Sequence, residues 1–130
     1  MILLDTHVWW WSLSEPENLS ETALASIEEA KTDQRFISSI SIWEFAMMVE
    51  KKRIELKIAP DKWLSKAIGE TGIIVLDLSP AIATDACSLP GGFHKDPADR
   101  IIVATARVHN LRLVTKDQKI LEYPFVRSVW

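Results

Sequence analysis

HKDPADRIIVATARVHNLRLVTKD, residues 94–117, holds in one run the pieces whose reading decides the fold. Pro97 suits the first position of a helix, where its missing N–H would be unpaired anyway, and Asp96 ahead of it suits the cap. A long helix is therefore predicted from Pro97 to about His109, stopped at Asn110. LRLVT (111–115) is a nearly continuous apolar run, the pattern of a strand covered on both faces. Acids flank this unit, with Asp96 and Asp99 where the helix starts and Asp117 just past the strand.

Outward from it, the same alternation recurs. ILLD (2–5), RFIS (35–38), IIVL (73–76) and FVRSV (125–129) read as further strands. Helices are predicted over 6–13, over Ser20–Lys31 and from Ser41 to about Lys52. Another begins at Pro60 and is closed by Gly69 and Gly72, and one more runs from Ser79-Pro80 to Leu89. DQKIL (117–121) reads as a short helical turn, and Pro90-Gly91-Gly92 as a turn. Strands alternating with helices give an α/β fold, a central mainly parallel sheet covered by helices on both faces. At 130 residues without a linker-like stretch or internal repeat, the chain is read as a single domain over 1–130.

Composition narrows the function classes. A net charge of -3 excludes a protein that holds nucleic acid by bulk positive charge, unless bound cations stand between protein and phosphate. Cys87 is the only cysteine, so no intrachain disulfide or thiolate metal cluster forms, which fits a reducing, cytoplasmic setting. Cys87 itself is expected to pack as a small apolar residue. No basic segment precedes MILL, so a secretory leader is not expected. No apolar run approaches the roughly 18 residues of a membrane span.

In a parallel sheet the functional crevice lies beyond the carboxyl ends of the strands, and acids fall there. Asp5 ends the first strand, Asp77 and Asp117 follow later ones, and Glu44 opens the helix after RFIS. Each alone reads as a cap or turn residue: Asp5 before its helix, Asp96 before Pro97, Asp99 in the first turn, and Ser41-x-x-Glu44 as a capping box. Such a cap contributes about 0.5–2 kcal/mol, enough to explain any one acid. Several converging carboxylates would instead repel one another without a cation, and oxygen ligands of that kind suit Mg²⁺ or Mn²⁺. Trp9, Trp10 and Trp11 sweep roughly 200° of helix surface, wider than a core stripe, so at least one is expected on the outside or at an interface.

DTHVWWW (5–11), SIWEFAMMVEKKRI (41–54) and HKDPADRIIVATARVHNLRLVTKD (94–117), in that order, resemble the PIN-domain nucleases, specifically the VapC-like toxins of toxin–antitoxin pairs. The resemblance covers nearly the whole chain and implies a three-layer PIN-like fold with an acidic quartet at the sheet edge. Carried over by position, it implies Asp5, Glu44, Asp99 and Asp117 as catalytic and metal-holding acids, with Asp96 either a cap or a further ligand. Thr6 and Thr115 are their hydroxyl neighbours, and Lys95, Arg100 and Lys116 are candidates for the RNA backbone. It further implies a Mg²⁺- or Mn²⁺-dependent endoribonuclease with an RNA substrate, a cognate antitoxin, a homodimer and no membrane. His94 is a candidate substrate contact, and one or two of the tryptophans are candidate partner contacts. Lys51-Lys52-Arg53 reads as the basic end of a helix. The rival reading is a phosphoryl-accepting, receiver-like signalling domain with Asp77 as acceptor and Lys116 as its lysine; it leaves Glu44 and DPADR without a task.

Overall fold

The structure is a computed structural model that describes residues 1–130. Five strands, β1 (Ile2–Leu4), β2 (Arg35–Ser38), β3 (Ile74–Leu76), β4 (Arg112–Val114) and β5 (Ser128–Val129), form one sheet in the order β3-β2-β1-β4-β5. Every neighbouring pair is parallel, in agreement with the alternation in the sequence. Seven helices surround it: α1 (Thr6–Ser14), α2 (Glu21–Glu29), α3 (Ser39–Glu50), α4 (Pro60–Thr71), α5 (Pro80–Cys87), α6 (Pro97–Val108) and α7 (Gln118–Leu121).

The chain order accounts for the layers. From β1 the strands are added in one direction to β3, and the chain then crosses back to set β4 on the other side of β1. With crossovers of constant hand, reversing direction moves the helices to the opposite face. The two cores follow this division: Ile2 and Leu4 pack with Val8, Trp9, Phe45 and Leu64 from α1, α3 and α4, whereas Leu3 packs with Ile82, Ile102 and Val103 from α5 and α6. Successive residues of β1 thus feed opposite cores, as strand geometry requires. The register aligns Leu4 with both Ile37 and Val114, so Asp5 and Thr115 leave the sheet level with each other. They emerge at the crevice between β1 and β4, where the strand order reverses.

Several boundaries differ from the sequence expectation. The last strand is two residues rather than five: residues 124–126 turn instead of extending, with the Phe125 carbonyl accepting from Arg107 Nη1 (2.6 Å). Helix α3 starts at Ser39 with Ser38 as its cap, donor Ile40 N–H to Ser38 Oγ at 3.3 Å, so Ser41-x-x-Glu44 is not a capping box. Cys87 is exposed rather than packed. Gly69 lies inside α4, and Gly72 alone ends it, in the left-handed conformation at φ +69°.

That difference between the two glycines is measurable. A Cβ on Gly72 would stand 2.1 Å from the Thr32 methyl at a φ that side chains avoid, whereas one on Gly69 meets nothing within 4 Å. Gly72→Ala is expected to destabilise by at least about 1–2 kcal/mol, and Gly69→Ala to stabilise by about 0.4–1 kcal/mol. Urea midpoints of the two variants against the parent check both signs.

Candidate functional site

Asp5 is the first residue past β1, and its extended backbone starts α1. Its Oδ1 accepts the Thr6 N–H at 2.8 Å, capping α1, and its Oδ2 accepts Thr115 Oγ1 at 2.6 Å. Thr115 is buried just past β4, and its Oγ1 also accepts the Asp117 N–H at 3.0 Å, which sets the turn carrying Asp117. Asp117 Oδ1 in turn caps α7 through Lys119 N–H at 2.9 Å. Glu44 lies in the second turn of α3, where its Oε1 accepts Thr6 Oγ1 at 2.6 Å; Thr6 Oγ1 is also hydrogen-bonded to buried Ser41 at 2.8 Å. Asp96 caps α6 through Ala98 N–H at 3.0 Å, and one turn on, Asp99 is half-buried beside His94, with Nε2 3.2 Å from Oδ2. That contact is not aligned as a hydrogen bond, and His94 Nε2 is otherwise buried without a partner.

These acids share one cleft of about 480 Å³, lined by the five carboxylates of Asp5, Glu44, Asp96, Asp99 and Asp117. His7, Val8, Trp11 and Lys116 complete its wall. Lys116 is the only lysine or arginine among them, so the acids are not neutralised by the chain itself. Their ionisation reflects this. Asp99 is pushed up from the ordinary 3.8 to about 7, by burial first and then by repulsion from Asp5, Asp96, Asp117 and Glu44. Glu44 is raised by burial, with the Thr6 hydroxyl pulling the other way, and Asp5 is raised by burial against the hydrogen bonds of Thr115 and Thr6.

The donor set fits a divalent cation. Ligand atoms of His94, Asp99 and Asp117 lie within 4.8 Å of one another, and all are hard or borderline donors. Capping does not exclude ligation, because each carboxylate oxygen keeps a second lone pair.

Other sequence candidates fall elsewhere. Arg100 donates from Nε to the Ala86 carbonyl (2.7 Å) and from Nη1 to those of Phe93 (2.8 Å) and His94 (3.1 Å), so it ties down the loop that presents His94 instead of facing the cleft. With Lys95 it lines a separate apolar cavity. Asp77 is exposed after the edge strand β3, two strands from β1, and does not line the cleft, which leaves the receiver-like reading without its acceptor among the acids. Of the three tryptophans Trp9 is fully buried, Trp10 and Trp11 are half-buried and none is exposed; a fourth, Trp43 on α3, is exposed, at 54%. His7 and Trp11 were not singled out for the site, yet their spacing holds the signal: on a helix begun by Asp5 they lie one turn apart on one face.

Residues 2–126 match the model of the PIN domain family. The chain is 39% identical to ribonuclease VapC22 of Mycobacterium tuberculosis over 128 residues, 98% of this chain and 95% of that protein. Among solved structures it resembles DNA-bound VapBC from Salmonella typhimurium (TM-score 0.71, 23% identity, 99% of this chain and 98% of that one). It also resembles VapBC2 from Rickettsia felis bound to a DNA fragment of its promoter (TM-score 0.70, 20% identity, 99% and 98%). At these identities the two structures support the fold alone.

The raised carboxylates make a stability prediction for the metal-free protein. Between pH 4 and 7 folded Asp99 keeps a proton that the unfolded chain has released, so stability falls as pH rises through that window and stays low above it. In chelator, Asp99→Asn is expected to flatten this decline and to raise the urea midpoint at pH 8, and Mg²⁺ to raise the parent's midpoint there. A loss of about 0.5–2 kcal/mol in the variant would mean that the carboxylate acts as a helix cap instead.

Proposed function

This chain belongs to the PIN domain family, and from that membership we propose that it is a metal-dependent endoribonuclease, the toxin of a toxin–antitoxin pair. The observation that carries the reading is the convergence of five carboxylates from four separate segments on one cleft with a single lysine. Stability alone does not favour such a cluster, since its members raise one another's pKa. Capping accounts for Asp5, Asp96 and Asp117 at three helix starts but not for Glu44 and Asp99.

In this reading Asp5, Glu44, Asp99 and Asp117 would hold Mg²⁺ or Mn²⁺, with His94 within ligand reach beside Asp99 and Asp117 and Asp96 as cap and near neighbour. A divalent cation bound there would supply a Lewis acid for the phosphoryl oxygens and lower the pKa of a water. The chain's own contribution is placement. Thr115 and the Thr6 N–H fix both oxygens of Asp5, and the Thr6 hydroxyl fixes Glu44, so these two acids are held before substrate arrives. Asp117, set by the Thr115 hydroxyl that also holds Asp5, and Asp99 from α6 complete the lining, and Lys116 beside them takes a backbone phosphate. The substrate is RNA, in keeping with the relative named as a ribonuclease. The related solved chains are VapBC assemblies, which supports a cognate antitoxin as partner, and a homodimer and a cytoplasmic location belong to the same proposal. No helix is long and apolar enough to cross a membrane.

The test is cleavage of total small RNA by the purified chain, freed of any co-purifying inhibitor. Cuts are expected in Mg²⁺ or Mn²⁺ and none in chelator, with Asp5→Asn and Asp99→Asn each lowering the rate by about 100-fold or more. The rate is expected to rise with pH from about 5 to 8, as ligands lose their protons. Cleavage that persists in chelator, or variants as active as the parent, would overturn the proposal.

A further inference from the structure

The tryptophan on the cleft wall is not required by any of this chemistry. Trp11 neither neutralises the acids nor fills the core; Trp9 is buried in that core, and Trp10 packs on Phe45 and Trp63. Trp11 is instead half-buried on the cleft side of α1, one turn beyond His7, with the two rings 5.7 Å apart. Trp130 packs against it at 6.1 Å, and Lys116 Nζ stands 5.7 Å from its ring centroid.

The charge balance shows what such a wall can do. Apart from the phosphate that a bound cation and Lys116 would meet, a polyanion on a cleft with five acids and one lysine, in a protein of net charge -3, gains little from electrostatics. Affinity beyond those contacts comes from interactions that do not depend on charge, and base stacking on aromatic rings is of that kind. Resting on the ribonuclease reading above, we propose that the His7–Trp11 face of α1 is a base-stacking wall. It holds the unpaired bases of a single-stranded RNA next to the acids while Lys116 takes a phosphate.

The experiment measures binding without turnover, in the Asp99→Asn background with Mg²⁺ present. The probes are a labelled single-stranded oligoribonucleotide of about 12 nucleotides and an abasic ribose-phosphate oligomer of equal length. Adding Trp11→Ala is expected to weaken RNA binding about 5- to 100-fold. Trp11→Phe should recover most of that loss, and the abasic oligomer should bind all three proteins alike. The salt slope should stay the same in every Trp11 variant, because indole carries no charge.

Unchanged RNA affinity in Trp11→Ala would overturn the inference, as would equal weakening of both oligomers with no recovery by phenylalanine. If the parent still cuts RNA in a metal-dependent way, only the stacking wall falls. A parent that neither binds nor cuts RNA removes the ribonuclease reading and this inference with it.

Discussion

The hydrogen bond from Thr115 Oγ1 to Asp5 Oδ2, 2.6 Å long, joins residues 110 apart, and the site depends on it. It forms because β4 pairs with β1 in a register that sets Val114 opposite Leu4, so the next residue of each strand emerges at the same height. A charge-assisted bond of this sort contributes about 1.5–3 kcal/mol. That favourable interaction opposes the burial that drives Asp5 towards its protonated form. Without β1 at the centre of the order β3-β2-β1-β4-β5, Asp5 and Asp117 would not meet, and Glu44, reached through Thr6, would have no partner across the crevice.

Cap and ligand are competing explanations for these acids only while each is considered alone. Asp5, Asp96 and Asp117 cap α1, α6 and α7 in the structure, and all three still line the cleft. Three helix N-termini therefore converge where the carboxylates do, and their partial positive charge offsets some of the repulsion. Asp99 and Glu44 have no capping role, and both are shifted upwards. The protein tolerates this because the strain is confined to one edge, while apolar side chains close both faces of the sheet behind it.

The element types could be read from the sequence because periodicity and caps are local. So could the acids that end β1 and β4, since a parallel sheet carries its crevice at those ends. What could not be read depends on direction in space. Arg100 adjoins Asp99 in sequence, but on a helix the next residue turns by about 100°, and its guanidinium reaches the carbonyls of Phe93 and His94 instead of the cleft. Ser41-x-x-Glu44 matched a capping box, yet the segment offers three serines, and the strand's end at Ser38 decides which one caps. Strand order is equally invisible locally: nothing in IIVLDLSP reveals that β3 lies at the edge, far from the other acids.

Helix α1 shows why a run of three tryptophans is not one feature. Each step along the helix rotates by about 100°, so identical neighbours face different surroundings. Trp9 meets Phe45 and Trp63 in the core, and Trp10 leans on the same two rings from the core's margin and donates to Glu15 at 3.1 Å. Trp11 is turned to the acids. The helix is held at one end by the Asp5 cap and along its length by two of its three indoles, so the third is presented from a rigid support. An aromatic ring that keeps exposed surface on such a support has lost little freedom still to be lost on binding, which is the condition under which stacking yields most of its energy as affinity.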